Sequence, residues 1–261
     1  MGVPVALTLS DSDPSGASGV QADLKTFDAL GVYGTSAVAS VTAQNTVGLF
    51  ARHEIPLPVI RAQIEALLSD LPPRAAKVGV LASVPALRLA ARLLLPSGAE
   101  IVVDPLLATR DGAPLLRPAS LQALVHDLLP VATLLVVGSL GAEALTGIDA
   151  GTPAGAKAAA MRLVALGARA VLVTGSRNES GVVVDGLLDG KTWHRFEAAA
   201  APGRPTWGKR QALSAAVTAW LARGETLPEA VAHSLDFVRR AVRCAPGLGA
   251  GPGPIGHRGG A

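Results

Sequence analysis

The sequence predicts a three-layer α/β/α sandwich, in which helices cover both faces of a mostly parallel sheet. Short apolar runs typical of buried strands alternate with segments of helical periodicity along most of the chain. The length of 261 residues is enough to bury the core of one large domain, and no composition shift marks a linker. We therefore predict a single domain over residues 1–261 with right-handed crossovers between parallel strands.

The first predicted unit is a strand, a helix and a second strand, and it contains a candidate ligand site. An apolar strand at residues 5–9 leads into a turn-rich loop at residues 12–19. Ser18, with Gln21 three positions later, fits a capping box at the start of a helix. A second strand, at residues 35–42, ends in a polar Ala-Gln-Asn-Thr run. Open α/β sheets bind ligands at such strand ends, so this run is a candidate site.

The remaining elements follow the same alternation. Between residues 181 and 196 two β-like runs surround Asp185-Gly186 or Asp189-Gly190, which favours an antiparallel hairpin at one of the two pairs. Residues 105–114 and the Gly/Pro-rich tail from about 245 contain turn-forming residues, and we expect the tail to be flexible and without regular structure. The other predicted strands are 49–55, 75–80, 101–104, 134–137 and 170–174, and the other helices are 56–71, 85–95, 154–165, 211–222 and 227–243.

Composition argues against several classes of protein. The net charge of +3, from 23 basic and 20 acidic residues, is too small to indicate nucleic-acid binding, and aromatic residues are scarce. Apolar residues reach 49%, yet no run approaches the roughly 18 needed to span a bilayer. The start of the chain has no basic segment of a signal peptide, and Cys244 is the single cysteine. We expect a cytoplasmic protein without disulfides, metal clusters or membrane association.

Several sequence segments resemble those of a known enzyme family. SDPSG, GVQADLKTF, ALGVYG and TAQNT, between residues 12 and 46, are similar to the amino-terminal segment of hydroxymethylpyrimidine/phosphomethylpyrimidine kinases. This family is the thiamine-pathway branch of the ribokinase-like superfamily. Further segments in family order are residues 77–81, 103–105, 112–116, 213–216 and 245–249. The resemblance implies a ribokinase-like fold, ATP and Mg²⁺ as cofactors, a small aminopyrimidine as substrate and a homodimer.

The resemblance also implies roles for particular residues on the pyrimidine side. Gln44 matches the residue that hydrogen-bonds the aminopyrimidine, and Asp23 matches one beside its hydroxymethyl arm. Val80 and Leu106 are assigned to the same substrate-binding set. From the residues alone, Gln44 is equally a strand end and Asp23 an acid favoured by the helix dipole.

The motif that should perform phosphoryl transfer is altered. The family carries Gly-Thr-Gly-Cys, whose backbone N–H groups face the phosphate and whose Cys is the base. Here the run is Gly208-Lys209-Arg210-Gln211, and a carboxamide such as Gln211 cannot act as a base. We expect the Arg210 side chain to crowd the anion cradle. Lys209 and Arg210 remain candidates for anion binding, with two solvated side chains as the alternative.

The positions that organise Mg²⁺ are altered as well. The family has Thr-Pro-Asn with a Glu three residues later; here the run is Val-Val-Gly, ending at Gly138, followed by Gly141. Glycine offers no side-chain oxygen to a hard cation, so we predict no metal site. Three further departures are Thr174-Gly-Ser176 for Lys-Gly-Gly, Ser10-Asp11 for Ala-Gly, and Arg110-Asp111-Gly112-Ala113 for Lys-Ser-Gly-Asp.

One further motif has the spacing of a phosphate-binding loop but lacks the residues that such a loop needs. Residues 203–209 have the GxxxxGK spacing of a Walker A loop, but Arg210 follows where Ser or Thr must hold Mg²⁺, and Arg204 and Pro205 crowd the loop. The five histidines share no metal-ligand spacing. Neither pattern adds a catalytic group.

These observations leave three hypotheses. The first is a kinase-family protein of thiamine biosynthesis that keeps its pyrimidine pocket, with very weak or lost phosphoryl transfer. The second is a non-catalytic pyrimidine-binding sensor or pathway partner. The third is a kinase-like binder of another B-vitamin ring, such as pyridoxal.

Overall fold

The central feature of the structure is one nine-stranded sheet with the strand order β3-β2-β1-β4-β5-β6-β7-β8-β9. The computed structural model describes residues 2–107, 116–199 and 206–260. Pairings β2–β3, β7–β8 and β8–β9 are antiparallel, and the other pairings are parallel. The strands are β1 Val5–Ser12, β2 Tyr33–Gln44, β3 Leu49–Glu54, β4 Ala75–Val78, β5 Glu100–Val103, β6 Leu134–Gly138, β7 Ala170–Arg177, β8 Val183–Asp189 and β9 Thr192–Ala198.

Helices cover both faces of this sheet, which confirms the predicted three-layer α/β sandwich. Strand β1 shows why: Leu7 and Leu9 belong to one buried cluster, whereas Ala6 belongs to the cluster on the opposite face. Helices α1, α7 and α8 pack on the Ala6 face, and α2, α3 and α6 on the other. The helices are α1 Gly19–Ala29, α2 Leu57–Asp70, α3 Val84–Leu94, α4 Pro118–Ala123, α5 Ser139–Thr146, α6 Pro153–Ala165, α7 Lys209–Ala222 and α8 Leu227–Arg243.

The predicted capping box at α1 does not form. Ser18 is the N-cap residue, but its hydroxyl donates to Asp13 Oδ2 at 2.7 Å and makes no capping hydrogen bond. Gln21 Oε1 accepts from the Asp13 backbone N–H at 2.9 Å instead of reaching the N-cap. The buried Asp13 carboxylate therefore organises the loop that a capping box was expected to close. A complete capping box does occur at α8, between Thr226 and Glu229.

Most predicted elements are present, with differences at their ends. The hairpin turns at Asp189-Gly190, the second of the two predicted pairs, and Asp185-Gly186 lies inside β8. Strand β4 is two residues shorter than predicted, and β1 and β2 are longer. Helices α4 and α5 and the short strand β10 (Thr206–Trp207) were not predicted, because their segments lack a clear apolar period. The motif at residues 110–113 and the loop positions Arg204 and Pro205 lie outside the described residues.

The last residues of the carboxyl-terminal segment pack into the fold, contrary to the prediction of a tail without regular structure. Gly253–Pro254 forms a short strand, β11, that pairs in parallel with β10. After it, Ile255 and His257 are buried, and residues 257–260 form a 3₁₀ turn. Burial lowers the pKa of His257 to about 4, and its Nδ1 lies 3.1 Å from the Thr26 hydroxyl. Residues 245–252 have no regular structure, as predicted, whereas the residues after them form two short elements and bury two side chains.

None of the helices in the described ranges is long and apolar enough to cross a membrane. The single-domain organisation and the cytoplasmic location stay predictions.

Candidate active site

Two cavities meet at the first turn of α7, beyond the carboxyl ends of the parallel strands. One, of about 690 Å³, is lined by Gln44 and is called here the Gln44 cavity. The other, of about 540 Å³, is lined by Arg210 and is called the Arg210 cavity. Leu106, Trp207 and Gln211 line both. Such a position agrees with the rule that ligands bind outside the carboxyl ends of an open α/β sheet.

The Gln44 cavity brings together three of the four residues assigned to the substrate. Gln44, Val80 and Leu106 all line it. The Gln44 Nε2 donates to Ser18 Oγ at 3.2 Å, which fixes the carboxamide at the end of β2. Apolar walls with a fixed amide are the usual composition of a small-ligand pocket.

The same cavity also contains a pair of opposite charges. Asp11, at the end of β1, and Arg52, on β3, both line it. Burial raises the pKa of the Asp11 carboxyl, although the Ser10 hydroxyl and the Arg52 guanidinium oppose the rise. Arg52 also donates to Ser40 Oγ at 3.1 Å, which fixes its guanidinium. Arg52 carries no sequence signal, because it reaches the cavity only through antiparallel pairing of β3 with β2.

Asp23 does not line either cavity. Its carboxylate is completely buried and accepts from Thr8 Oγ1 at 2.6 Å and from Lys77 Nζ at 2.5 Å. Burial raises the pKa of Asp23, and the adjacent Lys77 ammonium opposes this rise. Lys77 donates further to the backbone carbonyl of Gln211 at 3.0 Å. Both carboxylate oxygens thus have protein partners, and the place of Asp23 beside the hydroxymethyl arm of a ligand stays a prediction.

The first turn of α7 depends on Gly208. This residue has a φ of 83°, and a Cβ there would lie 1.9 Å from the Ala17 carbonyl oxygen. Only glycine permits both the left-handed conformation and the close approach. The helix that follows presents the backbone N–H groups of Lys209, Arg210 and Gln211, which precede any helical acceptor. A helix start of this kind favours anions.

Arg210 in this first turn pairs with a buried carboxylate. Its Nε donates to Asp104 Oδ1 at 2.7 Å, and Ser214 Oγ donates to Asp104 Oδ2 at the same distance. The guanidinium is held at the ends of β5 and β6, where Nη1 lies 3.5 Å from the Cβ position of Gly138. The buried Asp104 carboxylate fixes the guanidinium, and the expected crowding of the anion cradle stays a prediction.

The Arg210 cavity does not provide a donor set for Mg²⁺. Gly138 and Gly141 line it without side-chain oxygens, and Asp185 is the single acidic residue among its described lining residues. Asp185 Oδ1 accepts from the Gly175 N–H at 2.9 Å, and burial raises the pKa of its carboxyl. Over the described ranges, no three His, Cys, Asp or Glu side chains form a metal-binding group. Among the described residues the cavity thus offers one carboxylate, already hydrogen-bonded, as a side-chain ligand, and the other oxygens that Mg²⁺ prefers would have to come from phosphate and water.

Gln211 occupies the junction of the two cavities. A group at this position would lie between a ligand in one cavity and a ligand in the other. A carboxamide can donate and accept hydrogen bonds, but it does not take up a proton near neutral pH. Gln211 therefore offers hydrogen bonds at the junction but no group that titrates there.

The fold and the paired cavities define the class of protein: a ribokinase-like α/β protein of the small-molecule kinases. The family model described as Phosphomethylpyrimidine kinase matches residues 13–256, and the chain belongs to this family. It is 38% identical over 256 residues to the hydroxymethylpyrimidine/phosphomethylpyrimidine kinase of Rhizobium meliloti, covering 97% of this chain and 96% of that protein. The corresponding kinase of Bacillus subtilis is 36% identical over 259 residues, covering 98% and 96%.

Solved structures agree with this assignment. A phosphomethylpyrimidine kinase from Clostridium difficile is 34% identical, with a TM-score of 0.81 over 92% of this chain and 99% of that one. A Bacillus subtilis pyridoxal kinase in complex with ADP is 31% identical, with a TM-score of 0.89 over 98% of both chains.

The close approach of Gly208 to Ala17 predicts a specific stability effect. Gly208→Ala should lower the free energy of unfolding by at least about 2 kcal/mol more than Gly181→Ala. Both positions have positive φ, at 83° and 75°, but a Cβ at Gly181 would meet no atom within 4 Å. Urea unfolding of the two variants measures the difference. Equal losses would show that the helix start tolerates the displacement.

Proposed function

We propose that the protein binds a small aminopyrimidine in the Gln44 cavity and that its phosphorylation of this ligand by ATP is very slow or lost. The observation that carries the proposal is Gln211, a carboxamide at the junction of the two cavities. The retained features of the Gln44 cavity support ligand binding. The residues of the Arg210 cavity that differ from the family motifs support a low rate of phosphoryl transfer.

The expected loss follows from what phosphoryl transfer requires. The attacking hydroxyl must be oriented and give up its proton, and charge on the transferred group must be stabilised. A missing general base costs about 10² to 10⁴ in rate. Gly138 and Gly141 supply no side chain to the phosphate side. ADP bound to the related pyridoxal kinase supports a nucleotide in the Arg210 cavity, so binding can persist while transfer is slow.

Ligand binding should depend on the Gln44 carboxamide. Calorimetry with 4-amino-5-hydroxymethyl-2-methylpyrimidine should show binding that weakens by about 1–3 kcal/mol in Gln44→Ala, because a buried polar partner is left unpaired. Gln122→Ala, an exposed position on α4 outside both cavities, is the matched control. Equal affinity of the Gln44 variant and the wild type would contradict the assignment.

Pyridoxal is the second candidate ligand. The observation that favours it is the similarity to pyridoxal kinases, including one from Staphylococcus aureus in complex with pyridoxal, with a TM-score of 0.89 and 28% identity. Competition between pyridoxal and the aminopyrimidine for the same protein separates the two. Pyridoxal displacing the pyrimidine at lower concentration would assign the Gln44 cavity to the pyridine ring.

We further propose a homodimer formed beside the Gln44 cavity. Val47, Leu49 and Phe50 are exposed apolar residues at the β2–β3 hairpin, and 70% of Phe50 is accessible. Light scattering at micromolar concentration should give about twice the chain mass of 26.3 kDa. Phe50→Glu should lower this mass, whereas Met161→Glu, an exposed apolar site on α6, should not. A wild-type monomer would contradict the proposal.

Measured turnover decides whether phosphoryl transfer is slow or lost. A coupled assay for ADP release should show little or no turnover of the wild type, and Gln211→Cys alone should not restore it because Gly138 and Gly141 remain. The full set Gly138→Asn, Gly141→Glu, Lys209→Thr, Arg210→Gly and Gln211→Cys should give measurable turnover.

The structure leaves room for these changes. The nearest atom to a Cβ lies 3.5 Å away at both Gly138 and Gly141, an ordinary contact, and Gly138 has a φ of −78°. A wild-type turnover near 1 s⁻¹, ordinary for a kinase, would show that the loss proposed here does not occur.

A further inference from the structure

The Arg210 cavity is lined by more positive than negative charge. Lys209, Arg210 and Arg239 line it together with the single described acid, Asp185. Arg239 donates through Nη1 to Asp236 Oδ1 at 3.1 Å, and its buried Nη2 has no hydrogen-bond partner among the described residues. Unpaired buried donors are costly unless a ligand or water satisfies them. The cavity therefore suits a negatively charged group.

Asp104 orients one of these cations. It accepts from Arg210 Nε, and within the described part of the chain the two terminal nitrogens of the guanidinium are left for other acceptors. The side chain of Arg210 is about three-quarters buried, with 25% exposed, and that of Asp104 is almost completely buried. Because Asp104 already fixes the guanidinium, Arg210 loses little side-chain conformational entropy when a ligand binds. Arginine held in this way forms paired hydrogen bonds with phosphate oxygens.

The helix start adds donors to the same cavity. Gly208, Lys209, Arg210 and Gln211 all line it, and their turn carries the free N–H groups at the positive end of the α7 dipole. Fixed cationic side chains and backbone donors can together neutralise a phosphate without a metal ion.

We propose that the Arg210 cavity binds a diphosphate-type anion without Mg²⁺, with the Asp104-oriented guanidinium of Arg210 supplying the charge that a divalent cation would otherwise supply. This goes beyond pyrimidine binding and does not depend on it. The ligand class is an inorganic or organic diphosphate, such as the phosphate chain of a nucleotide.

The probe is inorganic pyrophosphate, titrated by calorimetry into the full chain. In EDTA the wild type should bind it within about threefold of its affinity in Mg²⁺. Arg210→Lys should weaken binding roughly tenfold to a hundredfold, because a point charge loses the orienting bond to Asp104 and the paired donors. Arg243→Ala, an exposed position on α8 outside the cavity, should bind as the wild type does.

A second variant guards against misfolding. Asp104→Asn with Arg210→Gln removes both charges of the pair, so no buried charge is left unpaired. It should show the same loss of pyrophosphate binding while keeping its affinity for the aminopyrimidine. Absence of pyrophosphate binding in EDTA, or wild-type affinity in both Arg210 variants, would overturn the inference. Failure of pyrimidine binding with pyrophosphate binding intact would instead count against the proposed function alone.

Discussion

The buried ammonium of Lys77 is the interaction on which the geometry of the site depends. It pairs with Asp23 of α1 and donates to the Gln211 carbonyl in the first turn of α7. Both side chains are almost fully buried, so their desolvation is costly and is offset only by complete hydrogen bonding. The Thr8 hydroxyl supplies the remaining partner of Asp23. Strands β1 and β4 are thereby joined to α1 and α7 through one buried polar cluster. The position of the helix start follows from this cluster.

Because the anchor uses the backbone of Gln211, the side chain at that position is free to vary. Its carbonyl oxygen accepts from Lys77, and the residue lines both cavities. Gly208 fixes the same turn through backbone conformation and its approach to Ala17. Neither constraint requires a base or a nucleophile. The side chain at position 211 can therefore change without loss of the fold, because neither constraint on this turn depends on it.

The sequence predicted the architecture well, because the spacing of apolar residues and the positions of turn-forming residues indicate helices and strands from local sequence alone. It also predicted Gln44, Val80 and Leu106 as neighbours, and the structure brings them to one cavity. It failed where a long-range partner decides the outcome. Asp13 takes the Ser18 hydroxyl, so the expected capping box is absent. The contacts of Lys77 with Asp23 and of Asp104 with Arg210 are likewise long-range and carry no signal in the sequence. Arg52 and Trp207 reach the site through pairing and loop geometry that carry no local pattern.

Gly138 and Arg210, which both line the Arg210 cavity, are neighbours in space. The Arg210 Nη1 lies 3.5 Å from the Cβ position of Gly138, so an amide side chain at 138 would extend toward the guanidinium. The glycine and the arginine therefore occupy complementary space. Asp104 and Ser214 keep the guanidinium there through buried hydrogen bonds, and removing Arg210 alone would leave the buried Asp104 carboxylate with only the Ser214 hydroxyl. A Cβ at Gly138 would make only an ordinary contact, so position 138 tolerates a small side chain while Arg210 stays in place. Position 210 is the constrained one, because the buried Asp104 carboxylate depends on its guanidinium, and this pair places a fixed positive charge in the cavity.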